Sequence, residues 1–108
     1  MIVKYAHIYD SYGDLTPNQQ YFVIGIEANH YRILNDLGQP FLYPATLFDV
    51  TDASEPEDWI TEYGDDGERY SYPPNLNDVG FFEDYFDRNT KAVSTFWQAV
   101  NRRLSKAA

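Results

Sequence analysis

The sequence predicts a mainly β protein of the α+β class: a small β-barrel with an extra hairpin and one C-terminal α-helix. Short runs of aromatic and β-branched residues, separated by turn residues, fill the first 72 positions and indicate strands. Apolar residues recur at helical spacing from about Thr90 onward. With 108 residues, the chain can bury one core without a disulfide or a metal, so we expect residues 1–108 to form a single domain.

The first 52 residues are expected to form the barrel core. A polar break at residues 28–30 separates two β-prone runs, which should therefore pair as an antiparallel hairpin. Gly25, inside the first of these runs, predicts a bulge or a sharp bend. Residues 44–46 predict a single helical turn, because Pro44 limits the strand before it. The expected strands are residues 2–9, 21–27, 31–35, 41–43 and 47–50.

Residues 53–87 are expected to form an acidic aromatic extension of that core. Two aromatic runs, residues 59–63 and 68–72, flank a turn that contains the pair Asp66-Gly67, which is a strong signal for a hairpin. Residues 77–87 hold five large apolar side chains around Gly80. This segment predicts either a short helix interrupted at the glycine or an ordered loop, and the sequence leaves both open.

Residues 88–108 are expected to form the C-terminal helix. Asn89 or Thr90 can cap its start, since both side chains can accept a hydrogen bond from a free amide of the first turn. We expect Phe96 and Trp97 to pack against the barrel or against the second hairpin. The apolar positions at helical spacing are Val93, Phe96, Trp97, Val100 and Leu104.

Charge is unevenly distributed along the chain, whose formal net charge is −9. Residues 51–87 hold twelve acids against Arg69 alone, whereas residues 88–108 hold five bases and no acid. An acidic middle region repels phosphate backbones, so the sequence predicts no nucleic-acid binding and favours a basic protein partner. The plainer alternative is that the acids keep a small protein soluble.

Several kinds of chemistry have no support in the sequence. Cysteine is absent, which excludes disulfides, thiolate catalysis and cysteine-based zinc sites. His7 and His30 have no neighbour at ligand spacing, and neither a nucleophile elbow nor a phosphate-binding loop occurs. No apolar run approaches the length of a membrane helix. We therefore expect a cytoplasmic, non-enzymatic protein with no catalytic residue, cofactor, metal or membrane contact.

Five segments of the first half carry a resemblance to a known family. They are Leu15-Thr16-Pro17, Tyr21-Phe22-Val23-Ile24, Tyr31-Arg32-Ile33, Leu42-Tyr43-Pro44 and Leu47-Phe48-Asp49-Val50. Together they resemble the Src-homology-three-like β-barrels of small uncharacterised bacterial proteins, over about residues 1–52. Residues 9–12 are similar to the Tyr-Asp-x-Tyr segment of the peptide-binding members. The resemblance implies a peptide groove lined by Tyr9, Tyr12, Tyr43, Pro44 and Phe48.

The candidate site lies in the acidic extension, where carboxylates and large rings coincide. Carboxylates raise the association rate with a basic partner, and rings supply the desolvated contact that slows dissociation. In size, charge and lack of an enzymatic motif, the chain resembles the small acidic immunity proteins that neutralise bacterial toxins. We therefore predict an immunity-like or antitoxin-like partner of a basic protein. The predicted partner-binding residues are Trp59, Tyr63, Asp65, Asp66, Glu68, Tyr70 and Tyr72.

Three alternatives remain open at this point. The first is a peptide-binding module that uses the groove implied by the family resemblance. The second is a small hydrolase that uses a pair of carboxylates, which would have to face each other in a concave pocket with at least one raised pKa. Its candidate acids are Glu57-Asp58, Asp65-Asp66-Glu68 and Glu83-Asp84. The third is a homodimer.

Overall fold

Seven strands and two α-helices make up the computed structural model, which describes residues 1–8 and 12–107, without the side chains of 105–107. The strands are β1 Ile2–Tyr5, β2 Gln20–Glu27, β3 His30–Leu34, β4 Pro40–Pro44, β5 Phe48–Asp52, β6 Ile60–Tyr63 and β7 Arg69–Tyr72. The helices are α1 Phe81–Phe86 and α2 Thr90–Ala107. Two short 3-10 turns lie at Ala45–Leu47 and Pro74–Leu76. The mainly β, α+β class with one main C-terminal helix is therefore confirmed.

The strands form one sheet in which every described pairing is antiparallel. The main path runs β4-β3-β2-β1-β5, and β2 also pairs with β7, which in turn pairs with β6. β2 holds the sheet together, because its first half pairs with β1 and its second half with β7. No pairing among the described residues joins β4 to β5. The sheet is therefore open, and the closed barrel expected from the sequence is not observed.

A bulge in β2 divides the apolar side chains between two cores. The register with β3 shifts between Val23 and Gly25, which confirms the bulge predicted at Gly25. Val23 and Ile26 both lie in the first core, three positions apart instead of two, while Ile24 lies in the second core. The first core comprises Val3, Tyr5, Leu15, Tyr21, Val23, Ile26, Ile33, Tyr43, Leu47 and Phe48. The second comprises Ile24, Tyr72, Leu76, Phe81, Ala92 and Phe96.

Most local predictions agree with the structure, and one strand is shorter than expected. The hairpin of residues 21–35, the turn near Pro44 and the hairpin around Asp66-Gly67 are all confirmed. Within residues 77–87, Phe81–Phe86 form the helix α1, and Gly80 with a φ of 78° precedes the helix and does not interrupt it. β1 ends at Tyr5, because the amides of Ala6 and His7 both donate to the carbonyl of Leu47 and leave the ladder.

α2 packs across the sheet face formed by β2 and β7. Phe96 is fully buried in the second core and Trp97 packs at its edge, so the predicted docking of this helix is confirmed. The Oδ1 of Asn89 accepts a hydrogen bond from the amide of Ala92 at 3.0 Å, which makes Asn89 the cap. Within the described residues, no helix is both long and apolar enough to cross a bilayer.

Candidate functional site: an acidic hairpin

The β6–β7 hairpin is closed by a tight loop of residues 64–68. The amide of Gly64 donates to the carbonyl of Glu68 at 2.8 Å, and the amide of Gly67 donates to the carbonyl of Gly64 at 3.0 Å. Gly67 has a φ of 80°, a left-handed conformation that glycine adopts without strain. These contacts are those of a type I turn followed by a glycine bulge. The loop therefore holds Asp65 and Asp66 at the tip of the hairpin.

Glu68 stabilises the loop from within. Its Oε2 accepts a hydrogen bond from the amide of Asp66 at 3.0 Å. Its carboxylate also lies so close to Gly64 that a Cβ added there would stand 1.7 Å from Oε1. Glu68 is consequently half-buried, whereas Asp65 and Asp66 are exposed. Of the three predicted acids of the tip, two are free to meet a partner and the third folds back over the turn.

Arg69 is the only base among residues 51–87, and an acid of the same region neutralises it. Its Nη2 forms an ion pair with Glu55, and this carboxylate raises the pKa of the Arg69 guanidinium. Its Nε donates to the Oγ of Ser71 at 2.9 Å. Because Arg69 is occupied by Glu55, it does not offset the charge of Asp65 and Asp66. The tip therefore carries an uncompensated negative charge.

The rings predicted for the partner-binding face are divided between the surface and the cores. Tyr63 is 71% exposed on β6, and Tyr70 is half-buried on β7. Tyr72 is only 6% exposed and belongs to the second core, so the prediction that it lies on an exposed face is wrong. Trp59 packs against the first core, and its Nε1 is buried with no hydrogen-bond partner among the described residues. The hairpin thus carries Tyr63, Asp65, Asp66, Glu68 and Tyr70. Side chains alternate along a strand and Tyr70 pairs with Glu62, so Tyr63 and Tyr70 lie on opposite faces of the hairpin.

Tyr72 belongs to a buried polar network that the sequence did not predict. Its hydroxyl donates to Glu27 Oε2 at 2.5 Å and accepts from Arg32 Nε at 2.7 Å. Arg32 also donates to Glu27 at 2.8 Å and to the carbonyl of Pro40 at 2.8 Å. Its guanidinium lies 3.9 Å from the centre of the Phe82 ring, a cation–π contact. This network joins the sheet to α1 and compensates the buried charge of Arg32.

A cavity of about 350 Å³ lies between the hairpin and α1, next to this network. Arg32, Tyr70 and Phe82 line its walls. Four acids also line it: Glu27, Glu62, Asp78 and Glu83. The acidic surface therefore continues from the tip of the hairpin along β6 to the start of α1.

The residues of the implied peptide groove lie mostly in the first core. The rings of Tyr12 and Tyr43 are 5.7 Å apart, and those of Tyr43 and Phe48 are 6.4 Å apart. Tyr43 and Phe48 are buried, while Tyr12 and Pro44 are half-buried, and Tyr9 lies outside the described residues. The four described residues thus do not form a trench of exposed rings. The structure differs here from the prediction because the rings of Tyr43 and Phe48 lie in the first core and the ring of Tyr12 packs against it.

Tyr43 is held in place by polar partners. Its hydroxyl donates to Asp14 Oδ2 at 2.7 Å and accepts from Asn35 Nδ2 at 3.1 Å. Burial, together with the Asp14 carboxylate, raises the pKa of Tyr43. This hydroxyl is therefore occupied within the protein.

The carboxylates considered for hydrolysis are distributed over separate elements. Glu57 and Asp58 are exposed on the connection before β6, and Glu83 and Asp84 are exposed on α1. Among the described residues, no group of three or more potential ligands could hold a metal ion.

Comparisons with protein-family models, with curated proteins and with solved structures found no match to this chain.

Proposed function

We propose that this chain is a non-enzymatic protein-binding domain that docks a basic partner protein through its β6–β7 hairpin, as an immunity or antitoxin protein would. The observation that carries this proposal is the juxtaposition of Tyr63, 71% exposed, with the carboxylates of Asp65 and Asp66. Arg69, the base at the start of β7, is paired with Glu55. Exposed carboxylates steer a basic partner toward the hairpin, and the ring provides a contact that slows dissociation.

The cavity beside the hairpin extends this surface. Glu62, Asp78 and Glu83 add carboxylates along its edge, and Tyr70 adds a half-buried ring. These carboxylates add negative charge beside the tip of the hairpin, which raises the local concentration of a basic protein there.

The scaffold we propose for this face is of the Src-homology-three-like kind. The strand order β4-β3-β2-β1-β5, with a 3-10 turn between β4 and β5, supports that proposal. In this arrangement the β6–β7 hairpin extends the sheet beside the second half of β2, and both helices are additions that pack in the second core. The peptide-groove alternative has less support, because Tyr43 and Phe48 lie in the core.

The test is a charge reversal at the tip with a matched control on the opposite side of the cavity. Asp65→Lys/Asp66→Lys replaces two exposed acids of the loop, and Asp84→Lys/Asp87→Lys replaces two exposed acids on or next to α1. Each double variant raises the net charge by four, from −9 to −5. The immobilised proteins are exposed to lysate of the source organism, and bound proteins are quantified by mass spectrometry at low and high salt.

We expect the unmodified protein to retain a positively charged protein at low salt. The tip variant should reduce its retention by about tenfold, since charges at the border of an interface mainly set the association rate. The α1 variant should retain it nearly unchanged. Equal retention by the tip variant and the unmodified protein would contradict the proposal.

A further inference from the structure

β6 has one edge that no described strand covers. It pairs with β7 on one side only, and all four of its residues are exposed. Tyr63 and Ile60 are 71% and 40% exposed. An uncovered edge presents a row of unpaired amide and carbonyl groups, which can form hydrogen bonds with another extended chain. The free edge of β6 is therefore a possible docking site in its own right.

The hydrogen bonds of β7 determine which groups of β6 point outward. The carbonyl of Arg69 accepts from the amide of Ala28 at 2.7 Å, so the backbone of Arg69 faces β2. The direction of the backbone groups alternates along an antiparallel strand. The amide and carbonyl of Tyr70 therefore face β6 and form hydrogen bonds with the backbone of Glu62, which lies opposite. The next residues of β6 on either side, Thr61 and Tyr63, then direct their amides and carbonyls to the free edge.

Two further contacts agree with this alternation. The amide of Gly64 donates to Glu68 across the loop, and bonded pairs recur every second residue from there to Glu62. The hydroxyls of Thr61 and Ser71 are 2.8 Å apart. Side chains lie closer together at pairs of residues whose backbones form no hydrogen bonds with each other, which is what the alternation gives for this pair. Thr61 and Tyr63 are thus the two residues whose backbones are free to bond a new strand.

We propose that the free edge of β6 binds an extended, basic segment of a partner protein, which adds to the sheet as a further antiparallel strand. This inference rests on the proposed function and specifies its binding mode, β-augmentation. Backbone bonds to Thr61 and Tyr63 fix the register, while Lys or Arg side chains of the segment pair with the acids around β6.

β6 is short and carries one charge, Glu62, but it lacks three other features that protect edge strands. Edge strands are commonly protected by proline, by lysine or by a bulge. β4, another edge strand of the sheet, begins with Pro40 and ends with Pro44. β6 has the sequence Ile-Thr-Glu-Tyr, with no proline or lysine, and its register with β7 is continuous.

The charge around β6 selects the occupant. Glu62 lies within the strand, Asp58 precedes it, and Asp65 and Asp66 follow it. A second copy of this chain would place carboxylates against carboxylates, which is unfavourable for facing residues of paired strands. A segment rich in Lys or Arg places opposite charges there. The occupant is therefore a basic strand from a different protein.

The first experiment measures amide hydrogen exchange by NMR, with two synthetic heptapeptides as probes. One alternates lysine with valine, and the other alternates glutamate with valine; both are acetylated and amidated. In the free protein we expect the amides of Thr61 and Tyr63 to exchange rapidly and the amide of Glu62 to be protected. The lysine peptide should slow exchange at Thr61 and Tyr63 by about tenfold or more, since new backbone bonds form there. The glutamate peptide should have no effect.

If the lysine peptide leaves the exchange rates of the Thr61 and Tyr63 amides unchanged, the inference is overturned, even if the NMR signals of Asp65 and Asp66 shift. In that case the proposed function stands, provided that the tip charge reversal still reduces partner retention. Protection of the same two amides without any peptide, if it increases with protein concentration, would also overturn the inference, because it identifies a second copy of the chain as the occupant. The proposed function itself fails only in the retention experiment.

A second experiment uses Tyr63→Pro with Tyr63→Val as its control. Proline removes the outward amide of residue 63 and leaves the bonds between Glu62 and Tyr70 intact, whereas valine keeps that amide. Both variants lose the ring of Tyr63, so they differ only in the amide, and we expect the valine variant to bind the lysine peptide more tightly than the proline variant. Equal binding by both variants would contradict strand addition. Should the proline variant fail to fold, the exchange measurement on the unmodified protein decides the question.

Discussion

The ring of Tyr72 lies directly against the backbone of Gly25, so that a Cβ added to Gly25 would stand 2.2 Å from Tyr72 Cε1. A side chain of any other residue type would displace the ring. The close approach of the ring allows its hydroxyl to reach Glu27 and Arg32. Gly25 is thus required in the middle of a strand because β7 places a large ring on it.

Gly25→Ala should destabilise the fold. The added methyl group must move a ring that is held by two hydrogen bonds, and overpacking of this kind costs about 1–3 kcal/mol. Urea unfolding monitored by tryptophan fluorescence measures the change. Gly13→Ala is the matched control, since nothing lies within 4 Å of a Cβ added there. An equally stable Gly25→Ala variant would show that the ring can move freely.

Tyr72→Phe should destabilise the fold at neutral pH. Removing the hydroxyl takes one hydrogen-bond partner from Glu27 and one from Arg32, while the bond between these two residues remains. Such a loss costs about 1–3 kcal/mol. Tyr63→Phe is the control, because it removes an exposed hydroxyl from the same hairpin. Thermal unfolding followed by circular dichroism compares the two variants. Equal midpoints would mean that the buried network adds nothing to stability.

The same substitution should change how stability depends on pH. Burial raises the pKa of Tyr72 in the folded state, whereas a tyrosine of the unfolded chain ionises near pH 10. The resulting stability is fully present below about pH 10 and is lost as pH rises further, by up to about 1.4 kcal/mol per pH unit for one proton. Urea unfolding measured between about pH 9 and 12 should therefore show that the free energy of unfolding declines less steeply with pH in Tyr72→Phe than in the unmodified protein. Identical slopes would contradict this assignment.

Arg103→Ala should destabilise the attachment of α2 to the sheet. Its Nη1 donates to the carbonyl of Val23 at 3.0 Å, and its guanidinium lies 5.3 Å from the centre of the Phe22 ring. Losing a charged hydrogen bond and this packing costs about 1–3 kcal/mol. Arg102→Ala removes a neighbouring exposed arginine and should change stability by less than about 0.5 kcal/mol. Urea unfolding of both variants checks the difference, and equal values would contradict the assignment.

The sequence could predict the features that depend on near neighbours. The bulge at Gly25, the hairpin around Asp66-Gly67 and the cap at Asn89 each follow from residues only a few positions apart, and the structure confirms all three. Their signals are local because turns, bulges and caps are formed by backbone groups of adjacent residues.

The sequence could not predict the contacts that join distant segments. Tyr72 alternates along β7 like any strand residue, and only the docking of the helices decides which face of β7 is buried. Arg32 is charged, and such residues are rarely buried without a partner. Its partner hydroxyl on Tyr72 is 40 positions away, so no local pattern indicates the pair. The exposed residues of the candidate hairpin were predicted because their position depends only on the turn.

The shared role of β2 has a consequence for the order of folding. β2 and β7 precede α2 in the chain, so α2 is the last element to become available during synthesis. Until α2 docks, Ile24 and Tyr72 lack the contact with Phe96, which belongs to the same core. We therefore expect the second core to form last.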